Sequence, residues 1–477
     1  MERKNAWKGY ELSDLEAIDE LAGRYIEFIS ENKTERECAA AAVDIARKAG
    51  YRSIDEVLEA GERLKPGTRV YASLYGKTVM LVQLGTDPLE QGVNILGAHI
   101  DSPRLDVKQN PLYESSDFAL LDTHYYGGIK KYQWVTLPLA IHGVVAKTDG
   151  SVVTVNVGED PADPVFCVTD LLPHLGGEQM KKAGDKVVEG EALDVLCGSR
   201  PLAVEKGDAE HAAEGSIEEM AAKEPVRAAI VSLLQDKYGF DEEDFLSAEL
   251  EVVPAGRART CGFDGSMVLG YGQDDRSCAY PSLIAQIEAP ADLERTAVCL
   301  LVDKEEIGSV GATGMTSLFF ENTMAEILEL AAQGGPLALR RCLANSNMLS
   351  SDVSAGFDPS YASVFEGKNS AYLGRGLVFN KFTGARGKSG SNDANAEYVA
   401  KVRGVMEAGG VAYQTAELGA VDAGGGGTIA YILAKYTMNV IDSGVPVLSM
   451  HAPWEVTSKA DLYEAKKGYA AFIRHAK

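Results

Sequence analysis

Residues 297–302 read Ala-Val-Cys-Leu-Leu-Val, apolar at every position and not at every second one. A strand with one wet face alternates, so a continuous apolar run is a strand covered on both faces. The run therefore predicts a buried parallel strand in an α/β sheet, with helices above and below. Directly after it come Asp303, Lys304, Glu305, Glu306, Ile307 and Gly308, which sets two adjacent carboxylates where an apolar strand ends. In open α/β sheets, ligands bind beyond the carboxyl ends of the strands. Neighbouring residues of an extended chain point to opposite sides, so Glu305 and Glu306 can hold different tasks. Acids persist in such a place only when something pairs with them.

The same α/β rhythm occupies both ends of the chain. Leu12, Leu15, Ile18, Leu21, Tyr25 and Ile29 mark an amphipathic helix over 11–32. A second helix opens at Thr34 with Glu37 three residues on, a capping box, and ends before Gly50. Strands follow at 69–76, 77–85 and 93–101. After about residue 108 the pattern changes to short strands and turns, including a hairpin turned at Asp149-Gly150. A polar stretch over 206–225 reads as a loop or weak helix. The rhythm returns near 250: strands at 249–256, 296–303, 345–353 and 446–452, and helices at 277–289, 317–333, 392–410, 426–436 and 457–475. A chain of 477 residues exceeds one ordinary core. The expected fold is α/β: a catalytic domain from 1–107 plus 251–477, interrupted by a β-rich insertion over 108–250.

Several function classes drop out. A net charge of −24 repels a phosphate backbone, so nucleic acid is no partner. No apolar run is long enough for a membrane span. The first residues carry no apolar signal core, and seven cysteines (38, 167, 197, 261, 278, 299 and 342) lie scattered without a CxxC pair. Both point to a reducing cytoplasm, and against a thiolate metal site. No GxGxxG or phosphate loop follows a first strand. The run Gly424–Gly427 lacks a following Lys-Ser/Thr, so it reads as a turn or as backbone brought close to a substrate.

Five places share one design. His99 ends an apolar strand, with Asp101 two residues later on the same face; Asp274-Asp275, Glu305-Glu306, Asp352 and His451 complete the set. Imidazole and carboxylate suit zinc or a similar divalent ion, cobalt and manganese included. His99, Asp352, Glu306 and His451 as terminal ligands, with one aspartate of the 274–275 pair as a bridge, give each of two metals an imidazole, a carboxylate and a shared carboxylate. A position remains for water. Two ions about 3.5–4 Å apart form a clamp for hydrolytic displacement. Glu305 is then the general base, and Asp101 takes the second ring N–H of His99.

These motifs, GAHIDSPRLDVK, QDDRS, DKEEIGS, SSDVSAG, PVLSMHAPWE and NKFTGARGKSGSN, resemble the aspartyl aminopeptidase / aminopeptidase I family of co-catalytic zinc peptidases. The resemblance spans about 97–455. It implies one metal on His99, Asp352 and bridging Asp274, and another on Glu306, His451 and the same Asp274. It also implies a zinc-peptidase-like αβα catalytic domain, an inserted β-rich dimerisation domain, and dimers that assemble into a tetrahedral dodecamer. The implied reaction is removal of one N-terminal residue from peptides, with acidic or leucine-like preference. His174 would then reach a neighbouring subunit's site, and Lys381, or Arg386 or Lys388, would meet an acidic side chain. The rival readings are a dinuclear deacylase or dipeptidase, and a non-catalytic assembly protein, which should have lost a ligand or the base.

Overall fold

The computed structural model describes residues 4–203, 213 and 215–477. It divides into two compact units: Met1–Ser102 with Ala258–Met450 and Trp454–Lys477, and Pro103–Arg257 with His451–Pro453.

The first unit is built on a nine-stranded sheet. In chain order its strands are β1 (Arg52–Ser53), β2 (Arg69–Leu74), β3 (Thr78–Gln83), β4 (Asn94–His99), β5 (Ala297–Val302), β6 (Asn347–Ser351), β7 (Leu377–Asn380), β8 (Tyr413–Thr415) and β9 (Asn439–Gly444). In space they run β1-β2-β3-β5-β4-β6-β9-β7-β8. The middle four, β5, β4, β6 and β9, are mutually parallel.

The apolar run of β5 is divided between two cores. Val298, Leu300 and Val302 pack with Phe320, Met324 and Ile327 of a helix over Phe319–Leu330. Cys299 and Leu301 pack on the other face with Tyr25, Ala42 and Leu283. Those three come from α1 (Leu12–Glu31), α2 (Glu35–Lys48) and α3 (Gln273–Ile287). The capping box of α2 forms as spelled: Glu37 N donates to Thr34 Oγ1 at 3.2 Å, and Thr34 N donates to Glu37 Oε2 at 3.1 Å, a cap of about 1 kcal/mol.

Four strands of this sheet were not legible in the sequence: β1, β7, β8 and β9. Asp442, Ser443 and Gly444 in β9 look like turn residues, yet the strand is buried inside the sheet, between β6 and β7. The helix expected over 426–436 shrinks to Ala430–Ala434, because the glycines before it take other conformations. The last expected strand covers only Pro446–Leu448 and belongs to a separate five-stranded sheet. His451 lies three residues beyond it in a turn, with φ +64°.

The second unit carries a seven-stranded sheet ordered Val152–Val157, Leu139–Ala146, Ala248–Pro254, Arg104–Ser115, Phe118–Tyr126, Val195–Gly198, Cys167–Val168. The hairpin at Asp149-Gly150 is closed by Lys147 N donating to Ser151 O at 2.8 Å. Helices at Ile217–Lys223 and Pro225–Tyr238 accompany the sheet. Residues 204–212 and 214, most of them in the 206–225 stretch expected as loop or weak helix, lie outside the described residues. No helix among the described residues is long and apolar enough to cross a membrane.

Candidate metal centre

Parallel strands β4, β5 and β6 end side by side. His99 is the last residue of β4, Asp352 follows β6 by one residue, and Glu305 and Glu306 follow β5 by three and four. Chain order runs from β4 to β5 on one side and later to β6 on the other, so the ends bracket a switch point, where α/β sheets leave a crevice.

Asp274 and Asp275 come from the non-helical first turn of α3. That turn is shaped from outside. Gly272, with φ +70°, opens it, and a Cβ there would stand 2.3 Å from Arg276 Nη1. The Glu455 carboxylate accepts Gln273 N at 2.7 Å and Asp274 N at 3.2 Å. Ser102 donates its hydroxyl to Asp274 O at 2.8 Å. The buried Arg276 guanidinium donates to Ile100 O at 3.2 Å and Lys33 O at 2.8 Å. Glu455 closes the PVLSMHAPWE motif, and the sequence alone assigns it no task. Its signal was an acid in PWE beside an otherwise apolar strand end.

His99 is 1% exposed. Its Nε2 stands 3.2 Å from Asp274 Oδ1 and 4.0 Å from both Glu305 Oε2 and Asp352 Oδ1. Its Nδ1 faces Asp101, 3.1 Å from the carbonyl oxygen and 3.3 Å from Oδ1. A proton on Nδ1 leaves Nε2 as the ligating nitrogen. Asp101 is fully buried and does more than orient the ring. Its two carboxylate oxygens accept Glu305 N and Glu306 N, each at 3.1 Å, so one side chain holds both glutamates in register with the histidine. Asp275 points elsewhere, accepting the His99 main-chain N–H on Oδ2 at 3.3 Å.

Two donor sets draw together within 4.8 Å: His99, Asp274 and Glu306, and His99, Glu305 and Asp352. The electrostatics ask for a cation. Burial pushes the Asp352 carboxyl well up, and the charge of Glu305 adds to it. Burial raises Asp275 likewise, against the opposing pull of His99. For His99 burial pulls downward, but Asp101 and Asp274 outweigh it and hold the ring well above its usual range. Carboxylates stacked so that each opposes the ionisation of the next are relieved by positive charge among them. An N/O donor set with no thiolate fits zinc, cobalt or manganese.

The remaining expected residues are placed as follows. His451 is half-buried, and its Nδ1 lies 2.9 Å from Gly128 O. If Nδ1–H donates there, Nε2 becomes the acceptor nitrogen. His174 is exposed in a turn. Lys381 is half-exposed, and its ammonium pairs with Asp393 at 3.3 Å, a carboxylate that also takes Lys388 at 3.0 Å.

The chain is similar to known proteins over nearly its whole length. The family model described as aminopeptidase I zinc metalloprotease (M18) matches residues 28–473. A curated relative from Clostridium acetobutylicum, named "Probable M18 family aminopeptidase 1", is 57% identical over 474 residues, covering 99% of this chain and 98% of its own. The solved aminopeptidase I from that organism superposes with TM-score 0.90 at 55% identity, covering 99% of each chain. An M18 aminopeptidase structure from Thermotoga maritima gives TM-score 0.91 at 41% identity, covering 100% of each chain. The S. cerevisiae mApe1 dodecamer, at 19% identity over 95% of this chain and 96% of its own, shares the fold with TM-score 0.75.

Proposed function

Because the chain belongs to the aminopeptidase I zinc metalloprotease family, M18, we propose that it removes single N-terminal residues from peptides with two divalent ions per subunit and Glu305 as general base. Asp274 would be shared by the two ions, with His99 and Asp352 holding one and Glu306 and His451 the other. The observation that carries this reading is the gathering of His99, Glu305, Glu306 and Asp352 from three adjoining strand ends with Asp274 from the first turn of α3. Asp274 is preferred over Asp275 because its Oδ1 faces the ligating nitrogen of His99, whereas Asp275 is turned to the main chain.

When bound, the two ions supply Lewis acidity to the scissile carbonyl and favour ionisation of the attacking water. The protein's residues do the rest. Glu305 accepts the proton of the attacking water and delivers it to the leaving amine. Its main-chain N–H, anchored on Asp101, holds that carboxylate at a fixed distance from His99. Asp101 keeps the Nδ1 proton of His99 in place, as a carboxylate partner does for a ligating imidazole.

The pairing of both Lys381 and Lys388 with Asp393 favours a leucine-like preference over an acidic one, since an acidic side chain would have to compete for those cations. His174 and its neighbours Leu172 and Leu175, 49% and 68% exposed, suit a segment that reaches a second subunit. The insertion serves as the dimerisation domain of a cytoplasmic homododecamer, a tetrahedral assembly of dimers. The test is a panel of aminoacyl chromogenic substrates (Leu, Met, Ala, Lys, Asp, Glu) with N-acetyl-Leu as control. Free-amine leucine cleaved faster than aspartate, with the acetylated control inert, supports the reading. Cleavage of N-acetyl-Leu alone shows a deacylase, and silence on all substrates shows an assembly protein.

A further inference from the structure

The run Gly424–Gly427 and the threonine after it take no part in the reaction above, yet their packing is specific. A Cβ on Gly424 would stand 1.9 Å from Leu418 O, and one on Gly425, whose φ is +123°, would stand 2.7 Å from Ala385 Cα. No side chain fits at either position. Gly426 N donates to Thr383 O at 3.0 Å. At the far end Ile429 lies over the central sheet, its Cδ1 3.7 Å from where a Cβ on Gly97 would be. Gly97 and His99 are two apart in β4 and so share a face. The segment therefore ends over the sheet face that carries His99.

Thr428 fastens that end. Its hydroxyl donates to Asp442 Oδ1 at 2.6 Å, and its Oγ1 accepts Ala430 N at 3.4 Å. Asp442 is 1% exposed in β9. The next residue, Ser443, accepts the N–H of Asp352 on its carbonyl at 3.1 Å. Burial pushes the Asp442 carboxyl up to about 7, against the opposing pull of the Thr428 hydroxyl. Asp442 Oδ2 is closed off from solvent and has no hydrogen-bond partner among the described residues. A carboxyl so enclosed touches no substrate.

The geometry points to Asp442 and Thr428 as positioning residues of the hydrolytic site, whose hydrogen bond fixes the Gly424–Thr428 segment over the sheet so that its main chain meets the bound peptide in one conformation. The inference rests on the aminopeptidase reading. Gly424–Gly426 are held by packing and the Thr383 bond, whereas a Cβ on Gly427 would meet nothing within 4 Å; ordering each such residue costs about 1–2 kcal/mol. A tether made before substrate arrives removes part of that cost from binding, so its loss appears in KM.

The test uses the full-length, metal-loaded enzyme. Thr428→Val removes the hydroxyl at nearly constant volume, and Asp442→Ala removes the acceptor. Each is expected to raise KM about tenfold, the worth of one buried hydrogen bond, with kcat, bound metal and Tm close to wild type. Thr428→Ser and Asp442→Asn, which keep a donor and an acceptor, are expected to restore KM to within about twofold. Should Asp442→Ala fail to fold, the threonine pair alone decides. An unchanged KM in Thr428→Val, or a loss of metal and kcat that Thr428→Ser does not restore, overturns the inference and leaves the aminopeptidase reading standing. A metal-loaded wild type inert on every free-amine substrate overturns both, and is seen before any variant is made.

Discussion

Asp101→Ala isolates the residue that organises the site. The wild-type carboxylate accepts three groups: the Nδ1 side of His99 at 3.3 Å and the main-chain N–H groups of Glu305 and Glu306 at 3.1 Å each. A buried donor left without an acceptor costs about 1–3 kcal/mol. Both glutamates are only half-buried, so water can re-solvate their amides and the low end applies, about 2 kcal/mol together. Against this, removing a charge among crowded carboxylates relieves the folded protein. Burial, then the charges of Glu35 and Asp101, push Asp303 upward. In the metal-free protein the two effects offset only in part, because the His99 ring also loses the carboxylate that holds its proton, and Tm should fall. They do not offset in the loaded protein, where His99 loses its orienting partner. Loss of such a partner lowers metal affinity about 10–100-fold, roughly 1.4–2.7 kcal/mol. Zinc affinity by chelator competition, read beside Tm with and without metal, separates the terms. An affinity within about twofold of wild type would refute the assignment of Asp101 as the ligand-orienting residue.

Three further outcomes are expected. Glu305→Gln should lower kcat at least about 100-fold, the scale of general base catalysis, with metal content by elemental analysis unchanged; zinc lost in step with activity would mean that the two glutamates have exchanged tasks. Asp274→Ala should lose both ions on dialysis, and retention of one at full occupancy would move the bridge to Asp275. Asp461 gives a test of pH dependence away from the site. It is buried and accepts Gly374 N and Gly376 N at 2.7 Å each, yet burial outweighs those bonds and pushes it up to about 8. Between the ordinary aspartate value and 8, the folded state holds a proton that the unfolded state has released. This group's contribution to stability therefore falls as pH rises through that window and is flat above it. Relative to Asp461→Asn, the wild type should lose about 1 kcal/mol per pH unit between pH 5 and 7 in urea unfolding; parallel pH profiles would mean that the carboxyl is ionised when folded.

The sequence was most readable where burial leaves the plainest mark. The run Ala297–Val302 is apolar throughout because, from Val298 on, its alternate residues enter two different cores. The acids after it stood out for the same reason, as charges where apolar packing ends. Strand β9 shows the limit. Asp442 and Ser443 are polar inside a sheet because one binds Thr428 and the other offers its carbonyl to Asp352, and local pattern carries no trace of partners 14 and 91 residues away. Glu455 escaped for a similar reason: its work is to accept two main-chain N–H groups at Gln273 and Asp274, visible only once the chain is folded. The charge on Lys381 was visible, but its capture by Asp393 was not.

The central claim is tested most directly by metal stoichiometry measured together with activity. The protein is stripped with chelator, zinc is returned in steps, and cleavage of a free-amine leucine substrate is followed beside bound zinc per subunit. Activity that is absent without metal and complete at two ions per subunit is the expected result, with Asp274→Ala binding neither ion. Full activity in the stripped protein, or full activity at one ion with no second ion bound, would contradict the two-metal site built on His99, Asp274, Glu306, Asp352 and His451.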